Sequence, residues 1–344
     1  MILYCLLIFL LTFTVIIQVS LSSPIVLKLK QTDQRTYTTN ICMGGGDSLN
    51  CNDLHVALIE NEISVYKNCR YRPTLSSSSK FISDLSSPSA LYTDTVILID
   101  PLTNETTSFE TYIEEIFLQN NNKNGFFGLG RATDNNNDLS LINQLYRIAN
   151  GKKAFYIDTK HKEIIIGTYP SIASTRKIKF INFNSNSNEK KYVSKVDSAF
   201  FKGSNNEYLR YEINSMFEFC LSNSGIHVPK DFALFVFDNY LGHVIRNNTC
   251  KVVNNDGFLF VRCGWYYKYE SDNNLNDITF IFDNKVSMRL SWENLFTKFD
   301  SEVYFLIVYN PHIDSFSFGY PFFNRYVMLV DEDKKQIGFY SHRD

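Results

Sequence analysis

The sequence lacks the signatures of several function classes. It has no charge excess: 34 Lys and Arg stand against 36 Asp and Glu, for a formal net charge of -2. A nucleic-acid or polyanion binder needs an electrostatic footprint of Lys and Arg, so the balance argues against that class. No C-x-x-C pair is present, which removes a common zinc-ligand spacing. The six histidines are His55, His161, His227, His243, His312 and His342, and no two have H-E-x-x-H spacing. No helix face therefore presents two imidazoles to a metal, and the histidines read as surface or structural groups. No metal and no cofactor are expected. Tryptophan is scarce, with 2 residues, and no repeat of short fixed period is visible.

What is present points to a β-rich globular protein. Hydrophobic residues are 44% and charged residues 20%, which excludes a disordered or collagen-like chain. The 29 Phe and 21 Tyr favour pleated, half-buried surfaces. The 344 residues suffice for two lobes. Short strand-like runs recur at 96–100 (VILID), 154–157 (AFYI), 164–166, 177–183 (KIKFINF), 258–262 (FLFVR), 278–282 (ITFIF) and 304–309 (YFLIVY). Helical spacing is limited to 139–149, 231–241 after Pro229, and 292–299. Polar, Asn-rich breaks at 120–124, 134–138, 182–191 and 271–277 read as surface loops, and the third is the most plausible lobe boundary.

Residues 2–17 (ILYCLLIFLLTFTVII) form an apolar run followed by Ser20 and Ser22 at the -3 and -1 positions of a cleavage site. The run resembles a secretory signal over 1–22, although no basic residue precedes it. An uncleaved anchor is the alternative. Secretion would leave no membrane segment after signal removal. It would also leave six cysteines, Cys42, Cys51, Cys69, Cys220, Cys250 and Cys263, enough for three disulfides. Cys42–Cys51 and Cys250–Cys263 close short loops and are the favoured pairs. Sequons at Asn104 and Asn247 would carry glycans on that route.

Residues 124–130 (NGFFGLG), 195–203 (KVDSAFFKG), 276–282 (NDITFIF) and 318–326 (FGYPFFNRY), in this order, resemble segments of the pepsin-like aspartic peptidases. Residues 124–130 (NGFFGLG) resemble the family's D-G-I-x-G-L-G strand, and a helix and two strands follow as they do there. Asp94-Thr95-Val96 matches the D-T-V after the flap, and 195–203 (KVDSAFFKG) resembles the L-D-S-I strand opening the second lobe. Residues 276–282 (NDITFIF) resemble P-D-I-T-F-x-F. Residues 318–326 (FGYPFFNRY) look like L-G-D-x-F-L-R-x-Y, and 327–338 (VMLVDEDKKQIG) like the final strand pair, with Asp331 at its turn. The resemblance implies an all-β, bilobal acid-protease fold with two barrel-like lobes and a few short helices. It implies an N-terminal lobe over 23–185 and a C-terminal lobe over 186–344, together one peptidase-like domain.

The family's chemistry requires two aspartates in D-T/S-G turns, one per lobe, close enough to share a proton. This sequence contains neither D-T-G nor D-S-G. Counting back from Tyr66 or Cys69 puts Ile59 at the first aspartate, and a shift of one residue puts Glu60 there. Aligning Pro229 with the family proline puts Cys220 at the second. The flap at 81–91 is short and lacks Y-G-x-G, and Tyr320 replaces the aspartate of the L-G-D segment. The lead-in before Tyr37 is too short for a basic pro-segment. The expectation is a secreted monomer without catalytic residues, binding a peptide or protein in the cleft between lobes, as plant xylanase inhibitors of this fold bind another protein. The alternatives are an active divergent aspartic endopeptidase or a GDSL-type esterase. The esterase would use Ser48, within Gly46-Asp47-Ser48-Leu49, and the Asp158-Thr159-Lys160-His161 string.

Overall fold

The computed structural model describes residues 24–33, 35–45, 49–58, 60, 62–67, 69–85, 89–101, 103–117, 125–131, 140–171, 178–183, 190–264, 276–283, 285–312 and 316–342. The proposed signal, Asn-rich loops 120–124 and 134–138, and residues 184–189 around the expected lobe boundary lie outside them. The described strands form three sheets.

The first sheet belongs to the N-terminal half. Its order is Lys30–Gln31, Tyr37–Met43, Asn50–Ala57, Gly125–Gly128, Ile63–Tyr66, Thr106–Ile116, Ser89–Ile99 and Lys80–Asp84. The second belongs to the C-terminal half and contains, in order, Phe258–Cys263, Glu302–Tyr309, Ile226–Val228, Phe316–Phe318, Tyr208–Phe219 and Val193–Lys202 among its strands. Both repeat one pattern. A late strand (Gly125–Gly128 or Phe316–Phe318) runs parallel to one early strand and antiparallel to the next. That next strand lies parallel to a fourth.

The third sheet joins the halves and is itself two-fold: Ile25–Lys28, Glu163–Ile166 and Ala154–Asp158 on one side, Tyr326–Asp331, Gln336–Ser341 and Lys179–Asn182 on the other. The central strand Tyr326–Asp331 is buried along its whole length. That explains why its sequence reads as a continuous apolar run rather than an alternation.

Each half feeds this sheet through a short helix. Leu141–Ala149 buries Leu141, Ile142 and Leu145 and ends at Asn150 in the left-handed region. Tyr320–Arg325 occupies the corresponding place in the second half. Lys230–Asn239 follows Pro229, as expected, and buries Phe232, Ala233, Val236 and Phe237. The third expected helix, 292–299, is corrected. Only Trp292–Leu295 is helical, closed by a Ser291–Asn294 capping box, and Phe296–Phe299 is a strand paired with Glu302–Tyr309. An adjacent strand edge wins over local helical spacing there.

The aromatic count goes into the cores. Phe318 stacks on Phe217 at 4.2 Å between centroids and meets Phe280 at 5.1 Å and Phe219 at 5.7 Å. Cys42–Cys51 and Cys250–Cys263 are bonded, each across directly opposed residues of a hairpin. The expected third bridge is corrected: Cys69 and Cys220 are free and buried, one in each half of the chain.

Candidate functional site

The late strand of each half ends in a glycine that the preceding loop crosses at contact distance. A Cβ on Gly128 would lie 2.4 Å from the Glu62 carbonyl and 2.6 Å from that of Glu60. A Cβ on Gly319 would lie 2.3 Å from the carbonyls of both Gly225 and Asn223. Only glycine permits these approaches. Matching the two crossings by these carbonyls aligns Glu60 with Asn223 and Glu62 with Gly225. Three residues earlier, the same correspondence pairs Ala57 with Cys220.

Cys220 closes its strand by donating its N–H to the Phe318 carbonyl at 2.9 Å, and the Ala57 carbonyl accepts from Leu129 N–H at 2.7 Å. Ala57 is 1% exposed and Cys220 3%. Ile59 lies outside the described residues, while Glu60 sits beyond the strand end with its carbonyl held by Gly130 N–H at 2.5 Å. Burial raises the Glu60 carboxyl above the usual carboxylate range. Lys190 pulls it back, and Glu62 and Glu114 push it further up. Glu62 is raised by burial too, and Lys190 Nζ lies 3.2 Å from its Oε1. In the second half Lys191 Nζ lies 2.7 Å from Glu218 Oε2.

A lysine therefore accompanies the acids on each side. A proton-sharing pair needs two carboxylates that repel each other, whereas a neighbouring ammonium favours the ionised form. Burial also raises the Cys220 thiol, whose Sγ lies 3.2 Å from Ser222 Oγ. Among the described residues no imidazole is its partner. His227 instead packs its Nδ1 against Asn310 Nδ2 at 3.3 Å, and burial lowers its pKa to about 4. A buried neutral thiol without a base is a poor nucleophile.

A cavity of about 500 Å³ opens between the lobes beside Ser222, Ser224 and Gly225. Phe260, Phe299, Phe305, Leu306 and Val308 give it an apolar wall, while Asp33, Arg35 and Thr36 close it from the first lobe. Arg35 Nη1 donates to Tyr320 Oη at 3.0 Å, and the guanidinium lies 5.2 Å from the Tyr320 ring centre. Tyr320, which the sequence resemblance sets at the aspartate of the L-G-D segment, thus faces a cation across the lobe junction. At the expected flap, Lys80–Asp84 and Ser89–Ile99 pair antiparallel, and Leu85 N–H donates to the Ser89 carbonyl at 3.1 Å. Its base is fixed by buried Asp94, which accepts from Tyr71, Ser78 and its neighbour Thr95 N–H.

Of the expected esterase strings, only Asp158 to His161 falls among the described residues. Ser48 lies outside them. His161 is 62% exposed and bound to Asp158 at 2.8 Å. Asp158 is followed by Thr159, which bonds Tyr37. Asn104 and Asn247 are both exposed at turns. Arg35, Lys190 and Lys191 were not legible as site residues. Isolated basic residues in loops carry no periodic or motif signal.

No known family model matches the sequence, and no curated protein does. Solved structures do match. Conglutin gamma, a basic 7S globulin from lupine seeds, superposes with a TM-score of 0.67 at 14% identity, covering 93% of this chain and 95% of its own. The aspartic proteinase from Irpex lacteus gives 0.66 at 14% identity over 93% and 97%. Basic 7S globulin from soybean gives 0.65 at 12% identity over 94% and 98%. The fold is that of the pepsin-like aspartic proteinases and the 7S globulins related to them.

Proposed function

We propose that this chain is a secreted, non-catalytic protein of the pepsin-like fold that holds a peptide or a protein segment in the cleft between its lobes. The observation that carries the reading is the pairing of Ala57 with Cys220 at the glycine crossings, where neither side chain is an acid. The lysines beside Glu62 and Glu218 support it further, because they oppose proton sharing. An inter-lobe pocket with an apolar wall remains available for binding. Two disulfides and the apolar N-terminal run support secretion, and exposed Asn104 and Asn247 would then carry glycans.

The second reading is an active, divergent aspartic endopeptidase. The raised carboxyl of Glu60 favours it, since an acid catalyst needs that property. The test is incubation of the purified mature protein with an unfolded protein substrate between pH 3 and 7, with and without pepstatin. The binding reading expects no pepstatin-sensitive cleavage anywhere in that range. Cleavage abolished by Glu60→Gln would overturn it.

A further inference from the structure

We propose that the inter-lobe pocket selects its peptide by a carboxylate placed beside an apolar side chain, with Arg35 as the residue that recognises the anion. The inference rests on the binding reading above and narrows it to one ligand chemistry.

The argument starts from a charge without a counter-charge. Arg35 Nη1 donates to the Tyr320 hydroxyl at 3.0 Å and Nη2 to the Lys298 carbonyl at 3.4 Å. Both acceptors are neutral. Among the described residues no carboxylate forms an ion pair with this guanidinium. Asp33 lines the same pocket but is exposed and does not pair with it. The Tyr320 ring lies 5.2 Å from the guanidinium and holds the cation without neutralising it. The backbone of Arg35 has φ 59, a left-handed conformation uncommon for a non-glycine residue. Contacts reaching across the lobe junction therefore fix where this side chain sits.

A guanidinium carries five N–H donors in a planar fork that matches a carboxylate. Two neutral acceptors leave the rest of the fork for a ligand. The remaining pocket supplies the second half of the recognition. Its wall is formed by Phe260, Phe299, Phe305, Leu306 and Val308, and its volume of about 500 Å³ suits a short peptide segment with an apolar side chain. A neutral ligand would leave the cation uncompensated, and a purely polar one would leave the wall uncovered. The carboxylate can belong to an Asp or Glu side chain or to a chain terminus.

The test uses the full mature protein and a position-scanned array of short synthetic peptides, followed by fluorescence anisotropy on soluble pairs. The pairs differ only as Phe-Glu against Phe-Gln, each with a free and an amidated C-terminus. Peptides carrying the carboxylate should bind about 10- to 100-fold more tightly than their neutral partners, with the advantage shrinking in high salt. An advantage that survives amidation assigns a side-chain carboxylate, and one lost on amidation assigns the terminus. Arg35→Met should abolish the advantage and leave neutral peptides unchanged. Asp33→Asn, at an exposed position that tolerates substitution, should tighten the acidic peptides alone by about 2- to 3-fold. Equal binding of acidic and neutral peptides, or an advantage unchanged in both variants, overturns the role of Arg35 and leaves cleft binding standing. Failure of every peptide in the array to bind overturns both.

Discussion

Lowering the pH from 7.5 to 4 should cost the second lobe about 3 kcal/mol through one imidazole. His227 lies in the Ile226–Val228 strand, between Val308 of one neighbouring strand and Ser317 of the other. Burial brings its pKa from the ordinary 6.5 to about 4, and no charged group offsets that effect. Its Nδ1 accepts from Asn310, a bond available only to the neutral ring. The folded state therefore favours the neutral form. The stability from this group is complete above about pH 6.5 and falls as the unfolded chain takes up a proton that the folded one refuses. Between pH 6.5 and 4 the loss approaches 1.4 kcal/mol per pH unit, reaching about 2 kcal/mol at pH 5 and about 3 kcal/mol at pH 4.

Other groups move the total in both directions, so the assay must isolate the histidine. His342 is also lowered by burial and adds to the loss. Glu60, Glu62, Glu115 and Glu332 are raised by burial and gain stability as pH falls. Urea unfolding of the wild type and of His227→Gln at several pH values removes these shared contributions by subtraction. Glutamine keeps an acceptor for Asn310 and does not titrate. The difference between the two curves should close by about 3 kcal/mol from pH 7.5 to pH 4. Parallel curves across that range would refute the burial argument for His227.

Gly319→Ala should destabilise by more than about 3 kcal/mol in urea unfolding, because its Cβ would meet two backbone carbonyls at 2.3 Å rather than a flexible side chain; a change under 1 kcal/mol would mean the crossing is looser than described. Phe318→Ala removes a fully buried ring that touches Phe217, Phe280 and Phe219. Its expected cost is about 3–5 kcal/mol. Iodoacetamide at pH 7.5 should label neither Cys69 nor Cys220 in the folded protein and both after unfolding without reductant, as read by mass spectrometry. A third bridge would leave no thiol to label in either state.

Much of the architecture is legible in the chain because it is written in periodic or punctuating residues. The helix at Leu141–Ala149 is announced by its apolar spacing, and Lys230–Asn239 by Pro229. The two bonded cysteine pairs close short hairpins, so their proximity in sequence was already proximity in space. The site is less legible for a physical reason. Its geometry is set by carbonyls passing over Gly128 and Gly319, and a backbone crossing between distant strands has no local pattern. Counting from Tyr66 or Cys69 in one lobe therefore gave Ile59 or Glu60, while the paired crossings bring Ala57 opposite Cys220 in the two-fold correspondence. Arg35 escaped notice because its partners, Tyr320 and Lys298, lie in the other lobe.

On the proposed reading, the fold can survive loss of its acids because they were never what built the crossing. The loops are positioned by glycine and backbone: Gly130 N–H on the Glu60 carbonyl in one half, Tyr320 N–H on the Asn223 carbonyl at 2.8 Å in the other. Two carboxylates forced together oppose folding through desolvation and repulsion. An alanine and a buried thiol at the paired positions remove that opposition without disturbing either backbone bond. Lysines are then free to settle next to the remaining acids, as Lys190 and Lys191 do beside Glu62 and Glu218. An ammonium beside a carboxylate favours its ionised form, which works against sharing a proton. A carboxylate reintroduced at Ala57 or Cys220 alone would thus add an acid with no partner and leave those lysines in place. Restoring proton sharing would require both acids together.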